Sequence, residues 1–413
     1  MNLFFANNYL HLREQDSIDT VLLFFFILLP LTALFPHSHS LCAILLLLIS
    51  VSGIIFYGVP RTAFRGSCAL FVSFLVLCLS SLTLPVAFAP TLLSVTLRLS
   101  FFLPFIFIEK TERIFRFYAT ICGIIGLFSF IALLNGKGVL GYTDTTRLPE
   151  ISRAAFLFGN PNVLASYLLP ASLLSLYDLL FRKNGRSGCI FIFCVLGILA
   201  TFSRGAILSL AVCVFLLLCL RWHPLRVFGV CLSLLPLCLF LLPEALKGRL
   251  ASLGSPDSSV SYRFSLWQSI FRLPITTLLF GVGEGKAAML ETLSPVLSAG
   301  LIRIEHTHSL FLHLLLSHGA VGVLLFSILS FFALSEKKEG AFAYLSLLLF
   351  GFFDDPLYCG QTEVIFWLFL GSSQKEVVSF SSFFCSFWAR FMSYGDKRRQ
   401  KPSHTSYTPR FLK

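Results

Sequence analysis

Apolar runs of membrane-spanning length recur along this chain, and the short links between them collect Lys and Arg. Crossing a bilayer takes roughly 20 apolar residues in a helix, because hydrocarbon offers no partner for backbone N–H and C=O groups. Composition agrees: at 56% hydrophobic residues, 13% charged residues and a mean hydropathy of +0.84, the chain has too little polar surface to coat a soluble globule of 413 residues. The expected class is all-α, a polytopic transmembrane helical bundle.

The net charge of +12 does not by itself point to nucleic acid. The cations sit in links such as Arg61–Arg65, Lys110–Arg116, Arg182–Arg186, Arg221–Arg226 and Glu336–Glu339, whereas Pro36–Ser40 and Pro85–Pro90 carry none. That alternation is the positive-inside pattern, so no nucleic-acid partner is expected and the N-terminus is placed in the cytoplasm. Expected spans lie near Ile18–Phe35, Leu41–Tyr57, Ala69–Phe88, Leu92–Ile108, Tyr118–Leu134, Val163–Phe181, Gly188–Phe202, Ala206–Leu220 and Val227–Leu242. After a long polar stretch, a short apolar helix from His308 to Ser317 leads into Ala320–Leu334, then Gly340–Phe353 and Glu363–Gly371. The consistent reading is about twelve spans with both termini inside and one long extracytoplasmic loop between spans nine and ten. The first span reads as retained, not as a cleaved signal peptide. Cysteines fall mainly within apolar segments, without a CxxC pair, and read as small buried hydrophobes.

The organisation follows: 1–134 as N-terminal transmembrane helices, 135–375 as a core containing the loop 244–307, and 376–413 as an interfacial segment with a basic cytoplasmic tail suited to anionic lipid.

Ionisable groups against a bilayer are costly, which draws attention to a few of them. Arg204 sits in a three-residue turn, Ser203-Arg204-Gly205, with little room to snorkel. The central loop is mildly cationic on the side where the positive-inside rule disfavours cations; it includes Arg249, Arg263 and Arg303. Arginine forks suit bidentate phosphate binding, so outer arginines suggest an anionic lipid-linked ligand. Arg263 and Trp267, four apart, share a helix face, where cation–π packing competes with a phosphate role. His306 and His308 precede a helix, and imidazole can serve as a base at neutral pH. A metal reading is disfavoured because i, i+2 is not the helix-face spacing for chelation and only Glu305 joins them. Arg98, inside the fourth span, is left without a role.

Four of these stretches together resemble the O-antigen ligase and polymerase family, in its expected order. Arg153 to Asn162 resembles R-x-x-G-x-F-x-N-P-N, with Phe156 in place of Gly. Ser203-Arg204-Gly205-Ala206 resembles S-R-G-A. Arg263 to Trp267 and Phe280 to Gly283 resemble R-x-x-x-W and F-G-V-G. His308 to Gly319 resembles H-N-x-Y-L-Q-x-x-x-E-x-G, with Ser309, His313 and Ser317 in place of Asn, Gln and Glu. The resemblance implies a metal-independent transferase that takes no cofactor and uses an undecaprenyl-pyrophosphate-linked glycan. It favours His308 over His306 as the base, with Arg204 and Arg263 on the leaving group. Arg153, Arg249, Trp267 and His306 are its substrate-binding candidates. The expectation is a ligase of the bacterial inner membrane, facing the periplasm and joining glycan to lipid A–core. A polymerase or a protein O-oligosaccharyltransferase shares the chemistry, and the acceptor separates them. A transporter of lipid-linked sugars is the rival class, but it would place its charges at mid-membrane and show internal repeats.

Overall fold

The computed structural model describes residues 85–102, 111–135, 153–241, 258–296, 306–335, 339–357 and 359–372, with isolated positions 20, 29, 44, 47–48, 51 and 247. The expected spans Ile18–Phe35 and Leu41–Tyr57, most of Ala69–Phe88, Arg249 and the 376–413 tail lie outside the described residues. The rest is helical, with no strand among the described residues.

The helices follow the apolar runs closely: α1 (Phe88–Phe102), α2 (Thr111–Leu134), α3 (Pro161–Arg182), α4 (Gly185–Ala200), α5 (Arg204–Arg221) and α6 (Pro224–Leu241). Three shorter helices come from the central polar stretch: α7 (Ser258–Phe271), α8 (Ile275–Phe280) and α9 (Lys286–Leu293). The chain returns with α10 (Leu310–Ser335), α11 (Glu339–Phe350) and α12 (Gly360–Ser372). Among the described residues, four stretches are long and apolar enough to cross a membrane: Glu112–Leu134, Pro161–Arg182, Arg204–Arg221 and Leu310–Leu334. The protein is therefore multi-pass.

Of the four candidate spans, α3 is the best buried. Asn160 caps it by accepting from the Asn162 backbone N–H at 2.8 Å, and Pro161 occupies the first turn, where its missing N–H costs nothing. It packs among α2, α4 and α11, and Tyr167, Leu168 and Leu169 are fully buried. Helices α2 and α4 cross closely: a Cβ on Gly197 would fall 2.5 Å from Gly126 Cα, so only small residues permit this approach.

The starts of α2 and α11 and the end of α3, all expected on one side of the membrane, meet at one end of the bundle. Arg182 pairs with Glu112, Asp178 and Glu339, and Arg116 with Asp178. The start of α3, the end of α4, the start of α5 and the end of α11 meet at the opposite end, where the candidate site lies. The Lys110–Arg116 link is shorter than expected, because Glu112, Arg113 and Arg116 already belong to α2.

Helix α10 is broken, as a short apolar helix followed by a span had suggested. Gly319 has φ 68 and ψ −176, a conformation that strains any side chain, and the break frees carbonyls one turn earlier. The Leu316 and Ser317 carbonyls accept from the backbone N–H groups of Val282 and Gly283, both at 2.9 Å. The Phe280–Gly285 loop is thus stitched into the gap.

Candidate functional site

Three of the expected site residues, His306, His308 and Arg263, bond to one turn, Phe352-Phe353-Asp354-Asp355, between α11 and α12, and Arg153 reaches it through Asn162. The turn's position follows from backbone bonds: Leu310 N–H donates to the Gly351 carbonyl at 2.8 Å, so the start of α10 is tied to the end of α11. The segment His306-Thr307-His308 is not helical. Outside a helix the i, i+2 spacing no longer argues against a shared site, and the left-handed turn at His308, φ 54, leaves the two imidazoles side by side. Their ring centroids are 3.8 Å apart.

Asp354 holds both. His306 Nε2 and His308 Nδ1 lie 3.2 and 3.3 Å from its Oδ1, which also accepts from the Asp355 backbone N–H at 3.0 Å. A carboxylate oxygen only accepts, so His308 carries its proton on Nδ1 and keeps its lone pair on Nε2. The other carboxylate oxygen accepts from Asn162 Nδ2 at 2.6 Å, and Asn162 Oδ1 accepts from Arg153 Nη2 at 3.1 Å. Arg153 Nε in turn donates to the Thr201 carbonyl at 2.9 Å, at the end of α4. Arg263 Nη1 donates to the Phe353 carbonyl at 2.9 Å, next to Asp354 in sequence. The Nε of Arg263 is buried and has no hydrogen-bond partner among the described residues. Arg204 starts α5 half-buried, and its neighbour Gly205 lies against Phe353 so closely that a Cβ would fall 2.6 Å from the phenylalanine Cβ. Trp267 is turned inward: its Nε1–H donates to the Thr307 carbonyl at 3.0 Å, which makes it a prop for the histidine segment more than a cation–π partner. Tyr262 meets His308 edge-on at 6.2 Å. Arg249 is outside the described residues.

Backbone strain concentrates here. Phe156, Phe202 and His308 have φ of 47, 50 and 54, in the left-handed region that non-glycine residues seldom occupy. The value at Phe156 accounts for the glycine in the pattern this stretch resembles.

Electrostatics divide the carboxylate from the imidazole. Burial pushes the Asp354 carboxyl up, but hydrogen bonds from His306 and His308 and the charges of His306 and Arg263 hold it well below the usual carboxylate range. Burial lowers His308; Asp354 pulls it back up, while His306 and Arg263 push it down again, and it ends below its ordinary value. His308 is therefore neutral and basic at pH 7. If it is the base, kcat/KM should rise with pH through an ionisation lying below about 6.5 and be flat by neutrality; an acidic limb centred above that would place the controlling group elsewhere.

His306, His308 and Asp354 also have the composition of a metal set, with ligand atoms within 4.8 Å of one another. The adjacent Arg263 charge, which acts on both His308 and Asp354, opposes a divalent cation there and favours an anion.

Asp354 is the residue that sequence reasoning passed over, as part of a turn. Arg98 proves to be its more distant counterpart: buried, with Nη2 2.5 Å from Glu284 Oε1, Nη1 3.1 Å from His318 Nε2 and the guanidinium over the Trp367 ring at 5.4 Å. Between the two centres His313 has its ring nitrogens 3.0 Å from Glu284 Oε2 and 2.8 Å from Asp355 Oδ2.

Fold and site define a multi-pass helical membrane protein with an acid–imidazole–guanidinium site at one end of its bundle. Residues 189–327, about a third of the chain, match the family described as O-antigen ligase. The match includes Arg204, Arg263, Trp267, His306 and His308, whereas Arg153 and Asp354 flank it. No curated protein matches the chain.

Proposed function

We propose that the protein transfers a glycan from an undecaprenyl-pyrophosphate carrier to an acceptor hydroxyl, without a metal ion, at the periplasmic face of a bacterial inner membrane. The observation that carries this reading is the pairing, at one turn, of an Asp-anchored neutral imidazole with guanidinium groups. In the reaction, His308 Nε2 takes the proton from the acceptor hydroxyl while its oxygen bonds to the anomeric carbon. The bond from that carbon to the pyrophosphate oxygen breaks, and the lipid pyrophosphate leaves with the electron pair. Arg263, through its Nε–H, and Arg204 hold that growing charge; Arg153 is committed to Thr201 and Asn162 and supports the site from behind. His306 shares the anchor of His308 and flanks the acceptor. A lipid A–core acceptor is favoured, with glycan polymerisation or protein O-glycosylation as the alternatives within the same chemistry. A transporter has less support, since these charges cluster at one end of the bundle.

The test is transfer by the purified chain in lipid, from a polyprenyl-pyrophosphate glycan to a panel of lipid, glycan and peptide acceptors. Arg263→Ala is expected to slow transfer roughly 10²-fold, as loss of one charge-stabilising donor does elsewhere. A preparation stripped of divalent ions should work as well as an untreated one. Full activity of Arg263→Ala, or restoration of a stripped enzyme by added metal alone, would count against the mechanism.

A further inference from the structure

The central polar stretch was expected to be an extracytoplasmic loop, yet part of it carries an apolar face and reaches far down a membrane span. Phe271, Ile275, Leu279 and Phe280 are 62, 68, 40 and 57% exposed, four large apolar side chains within ten residues. A water-facing segment rarely gathers such a patch. What covers it is indicated by its neighbour. Helix α8 packs against α10, whose apolar stretch Leu310–Leu334 is long enough to span, and the α10 surface nearby shows Val321 and Leu324 exposed.

Depth can be estimated from the same contact. The Leu279 carbonyl and the Val282 and Gly283 N–H groups meet α10 at Leu316 to Gly319, six to nine residues from its start. At 1.5 Å per residue this is about 9–14 Å down the helix. Because α10 breaks at Gly319, depth is counted from its far end: the straight part beyond the break, 320–334, is about 22 Å long against a hydrocarbon core of about 30 Å, which leaves the break about 8 Å inside the boundary on the site's side. The contact therefore lies within the hydrocarbon.

Irregular backbone at that depth must be satisfied by protein, and this loop is. Val282 and Gly283 donate to α10 carbonyls, the Glu284 N–H donates to Thr91 Oγ1 at 2.9 Å, and the Glu284 carboxylate is held by Arg98 and His318. We propose that Phe271–Gly285 is a re-entrant membrane element: α8 dips into the leaflet on the site's side with Phe271, Ile275, Leu279 and Phe280 in lipid hydrocarbon, and its tip is locked into the bundle through Glu284. The inference stands whether or not the transfer reaction does. If it does, a lipid-linked donor reaches the site sideways from the leaflet, along the α8 face.

The experiment places single cysteines at Ile275, Leu279, Leu324 and Glu291 in the full chain in vesicles, with a charged maleimide and labelling read at the individual peptide by mass spectrometry. Maleimide needs the thiolate, which hydrocarbon suppresses, so Ile275→Cys and Leu279→Cys should react at least roughly tenfold more slowly than Glu291→Cys and match Leu324→Cys. Hydroxyl-radical labelling of the unsubstituted chain in nanodiscs gives an independent reading, with Phe271 and Phe280 expected to gain protection over detergent-diluted protein. Labelling of Ile275→Cys and Leu279→Cys at the Glu291→Cys rate, or oxidation of Phe271 and Phe280 that lipid does not change, overturns the proposal.

Discussion

Replacing Asp354 by asparagine is expected to slow glycan transfer by about 10²- to 10⁴-fold, close to the loss from His308→Ala. The side chain keeps its shape, so the expected damage is electronic. Asp354 Oδ1 sits 3.3 Å from His308 Nδ1 and fixes the tautomer that leaves Nε2 free to accept a proton. An asparagine amide offers a neutral acceptor at best. If its NH2 faces the imidazole, it selects the opposite tautomer and removes the base altogether. It also withdraws the negative charge that supports His308 once protonated. The two residues act as a unit, so the double variant should be no slower than the worse single one, a non-additivity that independent structural damage would not produce. Initial rates at saturating donor, with KM and folded yield measured alongside, make the comparison. Near-normal transfer by Asp354→Asn, with His308→Ala inactive, would remove Asp354 from the mechanism and leave it as a tie between α10 and α11.

The helices and the motif residues were legible in the sequence because they are local properties. Apolar length marks a span, and basic links mark its ends; even the break in α10 showed as an apolar run interrupted at Gly319. The partners were not legible, because they are distant in sequence. Asp354 lies 46 residues from His308 and reads as half of an Asp-Asp-Pro turn. The signal available was that two adjacent acids follow Phe352 and Phe353 at a span end, where a buried carboxylate needs a cation or imidazole. The histidine pair was judged by helical spacing, whereas the segment before α10 is not helical and turns at His308, φ 54. Arg98 had no candidate partner within its own span, since Glu284 arrives from 186 residues away in a loop expected to lie outside the membrane. In each case the missing information was which segments the fold brings together, and burial of charge was the sign that such a meeting had to exist.

That burial makes the Arg98–Glu284 contact the second place where a large effect is expected. Both side chains are nearly inaccessible, 1 and 8% exposed, and Nη2 lies 2.5 Å from Oε1. Removing one partner of such a pair strands the other charge away from water, at a cost of about 3–5 kcal/mol. Glu284→Leu removes the shortest contact of Arg98, which also faces His318, the Trp367 ring and a more distant Glu363, whose Oε1 is 3.5 Å from Arg98 Nε. Arg98→Leu leaves the Glu284 carboxylate with His313 and His318 among the described residues. The double variant strands neither, so it should be more stable than the sum of the single losses by about 0.5–3 kcal/mol, the range for residues in contact. Thermal denaturation in one lipid or detergent system supplies all three values, and strictly additive losses would mean that the contact does no coupling. Activity separates a further role. Because His313 lies between Glu284 and Asp355, loosening Glu284 also loosens the turn that carries Asp354. Transfer by Glu284→Leu should therefore fall further than its folded fraction does, mainly in kcat, with the pH profile moving as the hold on His308 slackens. If activity merely tracks the folded fraction and the profile stays fixed, the buried network serves the bundle and not the site.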